Sequence, residues 1–178
     1  ETGFDQALQA FLSGKVGFME FWTDLGTFAQ DPSGSQIVDK WGVMQLPVGG
    51  TATESLASLN AGFAMTMSSS AKNPELAEQF ILYATSSETN LALITSYGSG
   101  IDPNRLSTLN SPEYTAFNPQ VQEAASASLN GVLPWPTTKE APQLFQSLTD
   151  ALATMIATGA DPAETMKQVQ ADWESILG

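Results

Sequence analysis

In this chain of 178 residues, Trp22 and Asp24 are the residues best placed to do chemistry. They close an apolar run, Val16 to Phe21, that reads as a buried strand, and they stand where Thr23 or Asp24 opens a short helix. The end of a strand ahead of a helix is where α/β folds hold ligands. An indole face suits C–H patches and a carboxylate accepts from hydroxyl groups, so the two together suit a polyhydroxylated molecule in a concave site. The plainer alternative makes Trp22 core and Asp24 a helix cap. Glu20 alternates with Met19 and Phe21 and can face a cleft. Beside Asp24 it is a second acid, and two suitably spaced carboxylates can cleave a glycoside when one of them is raised in pKa. With 19 acidic residues in the chain a chance pair is cheap, so binding is preferred to catalysis. Trp135 lies between Pro134 and Pro136, which bar it from a regular helix or a central strand. It is either a ligand platform or a plug over the core. Arg105, the sole arginine, can pair with Asp102, bond a ligand hydroxyl or carboxylate, or lock a hinge, and the pairing is preferred.

Composition removes several classes of function. The net charge is −13, and six Lys and Arg cannot neutralise many phosphates, which argues against nucleic acid or an anionic membrane as partner. The acidity is spread along the chain and reads as a solubility feature. There is no cysteine and no histidine. Disulfides, thiolate nucleophiles, Ser-His-Asp triads and His- or Cys-ligated zinc are therefore excluded, and no cofactor or metal is expected. No apolar run approaches the roughly 20 residues that span a bilayer. The chain starts at Glu1 without Met and reads as a processed or truncated product.

The elements that must position these residues are well punctuated. Thr2 to Asp5 resembles a capping box, followed by Phe4, Ala7, Leu8, Phe11 and Leu12 on one face and a stop at Gly14. Gly42 to Leu46 reads as a second strand, and Phe63 to Met67 as a third. Asn73-Pro74 opens a helix with Leu76, Ala77, Phe80, Ile81 and Ala84 on one face. Ser86 or Ser87 starts the next, and Ser111-Pro112 and Asn118-Pro119 repeat the cap-then-proline signature. Thr137 with Glu140 suggests a capping box for a helix carrying Leu144, Leu148, Leu152 and Ile156, closed at Gly159. Asp161-Pro162 opens the last helix, lined by Met166, Val169, Trp173 and Ile176. Trp173 and Trp41 read as packing. Strands interleaved with helices imply an α/β fold.

Several segments, taken in order, resemble one family. They are "ALQAFLSGKVGFMEFW" (Ala7 to Trp22), "WGVMQLPVG" (Trp41 to Gly49), "GFAMTMSSSAKNPELAEQFILYATSSE" from Gly62, "YGSGIDPNRLS" (Tyr97 to Ser107) and the tail "GADPAETMKQVQADWESIL". Each is similar to a matching segment of the extracellular solute-binding proteins of ABC importers, sugar-binding type, C-terminal portion. Gly17-Phe18 stands where that family has Ala-Met, and Glu20-Phe21 replaces its commoner small or Asn-Gly residues.

The resemblance implies a periplasmic-binding-protein-like α/β fold of two hinged lobes. Residues 1–58 would belong to the C-terminal lobe, 59–102 would cross the hinge and return to the N-terminal lobe, and 103–178 would supply C-terminal-lobe helices. The first part of the parent would be missing, leaving Phe63, Met65, Phe80 and Ile81 in need of a partner. It implies that Asn60 and Gly62 line the cleft, that Trp22 and Trp135 meet ligand there, and that the chain is periplasmic or extracellular, with a lipoprotein anchor compatible. The expected function is a non-enzymatic carrier of a sugar or polyol. It would close on its ligand by hinge motion and hand it to a transmembrane permease, as a monomer when intact. The alternatives are a secreted glycan-cleaving enzyme using paired carboxylates, or a non-catalytic structural or adhesion module.

Overall fold

The computed structural model describes residues 3–49, 53–55, 62–131 and 136–178. The chain divides into two units, Glu1–Leu133 and Pro134–Gly178. The first carries helices α1 (Phe4–Leu12), α2 (Leu25–Ala29), α3 (Pro74–Ala84), α4 (Ser87–Ile94), α5 (Leu106–Leu109), α6 (Pro112–Phe117) and α7 (Pro119–Ser128), the last running into a tight turn at Leu129–Gly131. The second is a helical hairpin, α8 (Ala141–Thr158) and α9 (Pro162–Leu177).

Local chemistry sets the helix starts. The side chains of Asn73, Ser86, Ser111 and Asp161 each accept from the backbone N–H three residues on, at 2.9–3.1 Å. Each such bond satisfies one of the donors that a first helical turn leaves without a partner. Proline follows the cap in α3, α6 and α9, where no intrahelical N–H bond is lost. Two expected starts differ. Asn118 precedes α7 but makes no side-chain cap bond. The α8 helix opens at Ala141 with Glu140 before it, also without a side-chain cap bond, so the Thr137–Glu140 capping box does not form. The Thr2 end of the proposed box at α1 lies outside the described residues.

The first unit buries its apolar residues in two clusters. Leu8, Leu12 and Ala29 pack with Phe11, Phe21, Leu25, Phe28 and Ile37, which fastens α1 to α2. Ile94, Leu109, Tyr114 and Val121 pack with Leu91 and Ala125, which gathers α4 to α7. Trp41 touches both clusters, and its indole N–H donates to Gln30 Oε1 at 2.9 Å. In the hairpin, Leu144 and Val169 are buried, and Trp173 donates to the Leu144 carbonyl and to Ser147 Oγ, each at 3.0 Å. Trp41 and Trp173 are thus packing residues.

The described residues contain helices but no strand, so the α/β expectation is not confirmed by them. The runs read as strands, 16–21, 42–46 and 63–67, lie outside helices with no ladder partner among the described residues. Apolar alternation favours an extended chain, but a strand exists only when a second segment supplies the inter-strand hydrogen bonds. The apolar residues of the third run are uncovered: Phe63 is fully exposed, and Met65 and Met67 are exposed. Helix α3 likewise buries none of its residues, and Phe80 is 57% exposed. Periodicity located the face of α3 correctly but not a surface that covers it.

Candidate functional site

The α2 start is the chemically richest place in the first unit. Immediately before it, Phe4, Phe21 and Trp22 form a ring cluster with centroid separations of 5.1 Å (Phe4–Phe21), 5.4 Å (Phe21–Trp22) and 6.0 Å (Phe4–Trp22). The Phe21–Trp22 pair is edge-on at 81°, a favourable quadrupole arrangement. Phe21 is half-buried on the α1–α2 core, while Phe4 and Trp22 remain 51% and 55% exposed. Trp22 is therefore neither entombed nor loose: one side rests on an anchored ring and much of its surface meets solvent. Its carbonyl accepts from the Leu25 N–H at 3.1 Å, which ties its backbone to the first turn of α2.

Two residues on from Trp22, Asp24 belongs to a carboxyl pair. Asp24 faces Asp102, which comes from the turn after α4, and the Thr23 hydroxyl donates to Asp102 Oδ1. Burial, then the nearby Asp102 charge, push the Asp24 carboxyl up to about 6, against an opposing pull from the N–H groups of Asp24 and Leu25. Burial also raises Asp102, opposed by the Thr23 hydroxyl and the Asp24 N–H. Tyr114 of α6 is raised by burial and by both carboxylates, so its phenol stays neutral. Asp24 Oδ1 is buried without a hydrogen-bond partner among the described residues. Two carboxyls withdrawn from water this close together disfavour double ionisation.

The turn that brings Asp102 here is clasped to α2 through one residue, Thr27. Thr27 accepts at its carbonyl from the Gly98 N–H (2.9 Å) and at its hydroxyl from the Gly100 N–H (3.2 Å), while that hydroxyl donates to the Asp24 carbonyl (2.8 Å). Gly100 is required at this contact: its φ is +62°, and a Cβ there would lie 2.9 Å from Phe28 Cζ. On the far side of the turn, Asn90 donates to the Asp102 carbonyl and accepts from the Asn104 N–H and the Thr108 hydroxyl. Asp102 is thus held at its carboxylate and at its backbone.

The other candidates fall elsewhere. Arg105 does not pair with Asp102: among the described residues no ion pair joins them, and Arg105 Nη1 donates to Asn104 Oδ1 at 2.7 Å from an exposed position. Asp102 already has neutral donors in Thr23 and the Asp24 amide, and Arg105 precedes α5 on the outer side of the turn. Glu20 is exposed on the run leading to Trp22, and Gly62 is exposed, with no described residue within 4 Å of where a Cβ would stand. Asn60 and Trp135 lie outside the described residues. Asp102, which the sequence offers only as a partner for Arg105, instead accepts from the Thr23 hydroxyl and the Asp24 N–H. Phe4 and Phe21 were read as core and strand residues, yet they form the support of Trp22.

Two surface hollows lie away from this place. One, of about 310 Å³, is lined by Gln30, Asp39, Trp41, Phe117, Asn118 and others in the first unit. The second, of about 400 Å³, runs between α8 and α9. Neither includes Trp22, Asp24 or Asp102. Among the described residues no group of three or more acids is arranged to hold a metal ion, and no helix is long and apolar enough to cross a membrane.

Comparison with known proteins gives one match. The family model described as bacterial extracellular solute-binding protein matches residues 1–122, a span that contains the ring cluster, the carboxyl pair and the α2 clasp. No curated protein and no solved structure matches the chain. The ordered segments noted above fall largely within the matched span, and with more than half of its length matched, the chain belongs to the bacterial extracellular solute-binding proteins that serve ABC transporters.

Proposed function

We propose that this solute-binding chain captures a sugar or related polyol on the Trp22 face, with Asp24 and Glu20 as hydroxyl acceptors nearby. The observation that carries the reading is the half-exposed Trp22 braced by Phe4 and Phe21 at the mouth of α2. An exposed ring held rigid by other rings presents a flat apolar surface at low entropic cost, which is what the C–H faces of a pyranose require. Within residues 59–102 we assign the part through α3 as a crossing to a second lobe, since α4 and the 97–102 turn pack on α5–α7 and on α2. The uncovered apolar faces of residues 63–67 and of α3 support that assignment. Ligand contacts on both lobes favour the closed form, and closure is then a shift of an existing equilibrium that a permease reads. Asn60, Gly62, Trp135 and Arg105 stand as further contacts on this scheme.

Nothing favours catalysis over binding. The carboxyl that interacts with Asp24 is Asp102 rather than Glu20, and burial raises both. The test is titration of the protein with a panel of neutral sugars and polyols, followed by tryptophan fluorescence, with peptides and divalent ions as controls. A saturable response to at least one sugar is expected. Silence across the sugars with tight binding of a peptide or ion would overturn the ligand class.

A further inference from the structure

The clasp between α2 and the 97–102 turn has an unusual composition. Its hydrogen bonds run through Thr27, and beside them lie two partly buried carboxyls, Asp24 and Asp102, the second accepting from the Thr23 hydroxyl and the Asp24 N–H. The titratable groups that face this pair are each other and Tyr114 from α6. Among the described residues neither acid has a Lys or Arg within ion-pair distance, since the ion pairs found are Lys139–Glu140 and Lys167–Glu164. Asp24 Oδ1 has no donor to stabilise a charge on it.

We propose that the Asp24–Asp102 pair is a proton-operated latch: with one proton on the pair the 97–102 turn stays clasped on α2, and with both carboxylates charged it loosens and releases the setting of Trp22. The geometry makes the link short. Thr23 lies between Trp22 and Asp24 in sequence and spends its hydroxyl on Asp102, so separation of the carboxyls pulls on the residue next to the ring. The Trp22 carbonyl is bonded into the first turn of α2 by the Leu25 N–H, so the same movement reaches the ring cluster. Where two buried acids interact, protons leave in steps that belong to the pair. The raised Asp24 carboxyl, held up by burial and by the Asp102 charge, puts the last release, the one that leaves both carboxylates charged, near pH 6. The functional consequence, ligand affinity that follows pH, rests on the reading of Trp22 as the ligand platform. The latch itself does not.

The test is amide hydrogen exchange at Gly98 and Gly100, corrected for the intrinsic chemical rate, without any sugar present. For the natural chain, protection at these two amides is expected to fall about tenfold between about pH 5 and about pH 7.5. Asp24→Asn and Asp102→Asn each remove the possibility of double charge, and both are expected to keep the acid-like protection throughout. Flat protection in the natural chain, or the same fall in both variants, overturns the latch. If one variant fails to fold by circular dichroism, the other variant and the natural profile still decide. A failed sugar titration beside an intact pH profile would sink the ligand reading and leave the latch standing.

Discussion

Replacing Thr27 by valine removes a single hydroxyl and keeps the shape of the side chain. Thr27 is 2% exposed, and its hydroxyl both donates to the Asp24 carbonyl and accepts from the Gly100 N–H. The first loss is modest, because the Asp24 carbonyl retains the Thr27 N–H at 2.9 Å. The second strands a backbone donor in a partly buried turn. A lost net hydrogen bond is worth about 1 kcal/mol and a stranded donor about 1–2 kcal/mol more, so Thr27→Val should destabilise the first unit by about 2–3 kcal/mol. Thr27→Ser keeps the hydroxyl and deletes one buried methyl, a loss of about 1 kcal/mol. At roughly 4 °C per kcal/mol for a unit of this size, valine should lower Tm by about 8–12 °C and serine by about 4 °C. Thermal and urea unfolding of both variants, with the natural chain alongside, checks this. Valine as stable as serine would show that the Thr27 hydroxyl does not hold the 97–102 turn, and the clasp described here would be refuted.

Other outcomes follow from the same geometry. The Asp24 carboxyl stands at about 6 in the folded chain against a reference of 3.8, so the folded chain holds the extra proton in that interval and stability falls as pH rises through it. The face value is about 3 kcal/mol, which partial exposure reduces to about 1–2 kcal/mol. Asp24→Asn should therefore be more stable than the natural chain at pH 7 by about that amount, with the gap closing toward pH 4, as Tm against pH will show; an equal loss of stability at pH 7 would contradict it. Gly100→Ala should cost about 2 kcal/mol or more, because a left-handed residue is combined with a Cβ 2.9 Å from Phe28, whereas Gly159→Ala at φ +70°, with nothing within 4 Å, should cost only about 1 kcal/mol. Urea midpoints in the reverse order would contradict the packing at Phe28.

What the sequence made legible was local. The helix starts at Asn73, Ser86, Ser111 and Asp161 could be read because a cap and the N–H that donates to it lie three residues apart. Trp22 and Asp24 stood out because they end an apolar run. What stayed hidden was nonlocal: Thr23 meets Asp102 across 79 positions, and no residue type at Asp102 announces that partner. Arg105 misled for the opposite reason, since proximity in sequence to Asp102 suggested a pair that the turn geometry does not make. The extended runs failed as strands on the same ground. Alternation at Phe63, Met65 and Met67 describes one segment, and pairing needs two. The apolar face of α3 shows that a period fixes which residues share a side, and only a neighbouring element decides whether that side is covered.

The most direct measurement is calorimetric titration of the natural chain, Trp22→Ala and Trp173→Phe with the sugar that gives a saturable response. Trp22→Ala should weaken binding roughly thirtyfold, from loss of about 80 Å² of indole contact worth about 2 kcal/mol, while Trp173→Phe, altered in the hairpin core, should bind as the natural chain does. Unchanged affinity in Trp22→Ala, with the sugar still binding, would contradict the placement of the ligand on this ring.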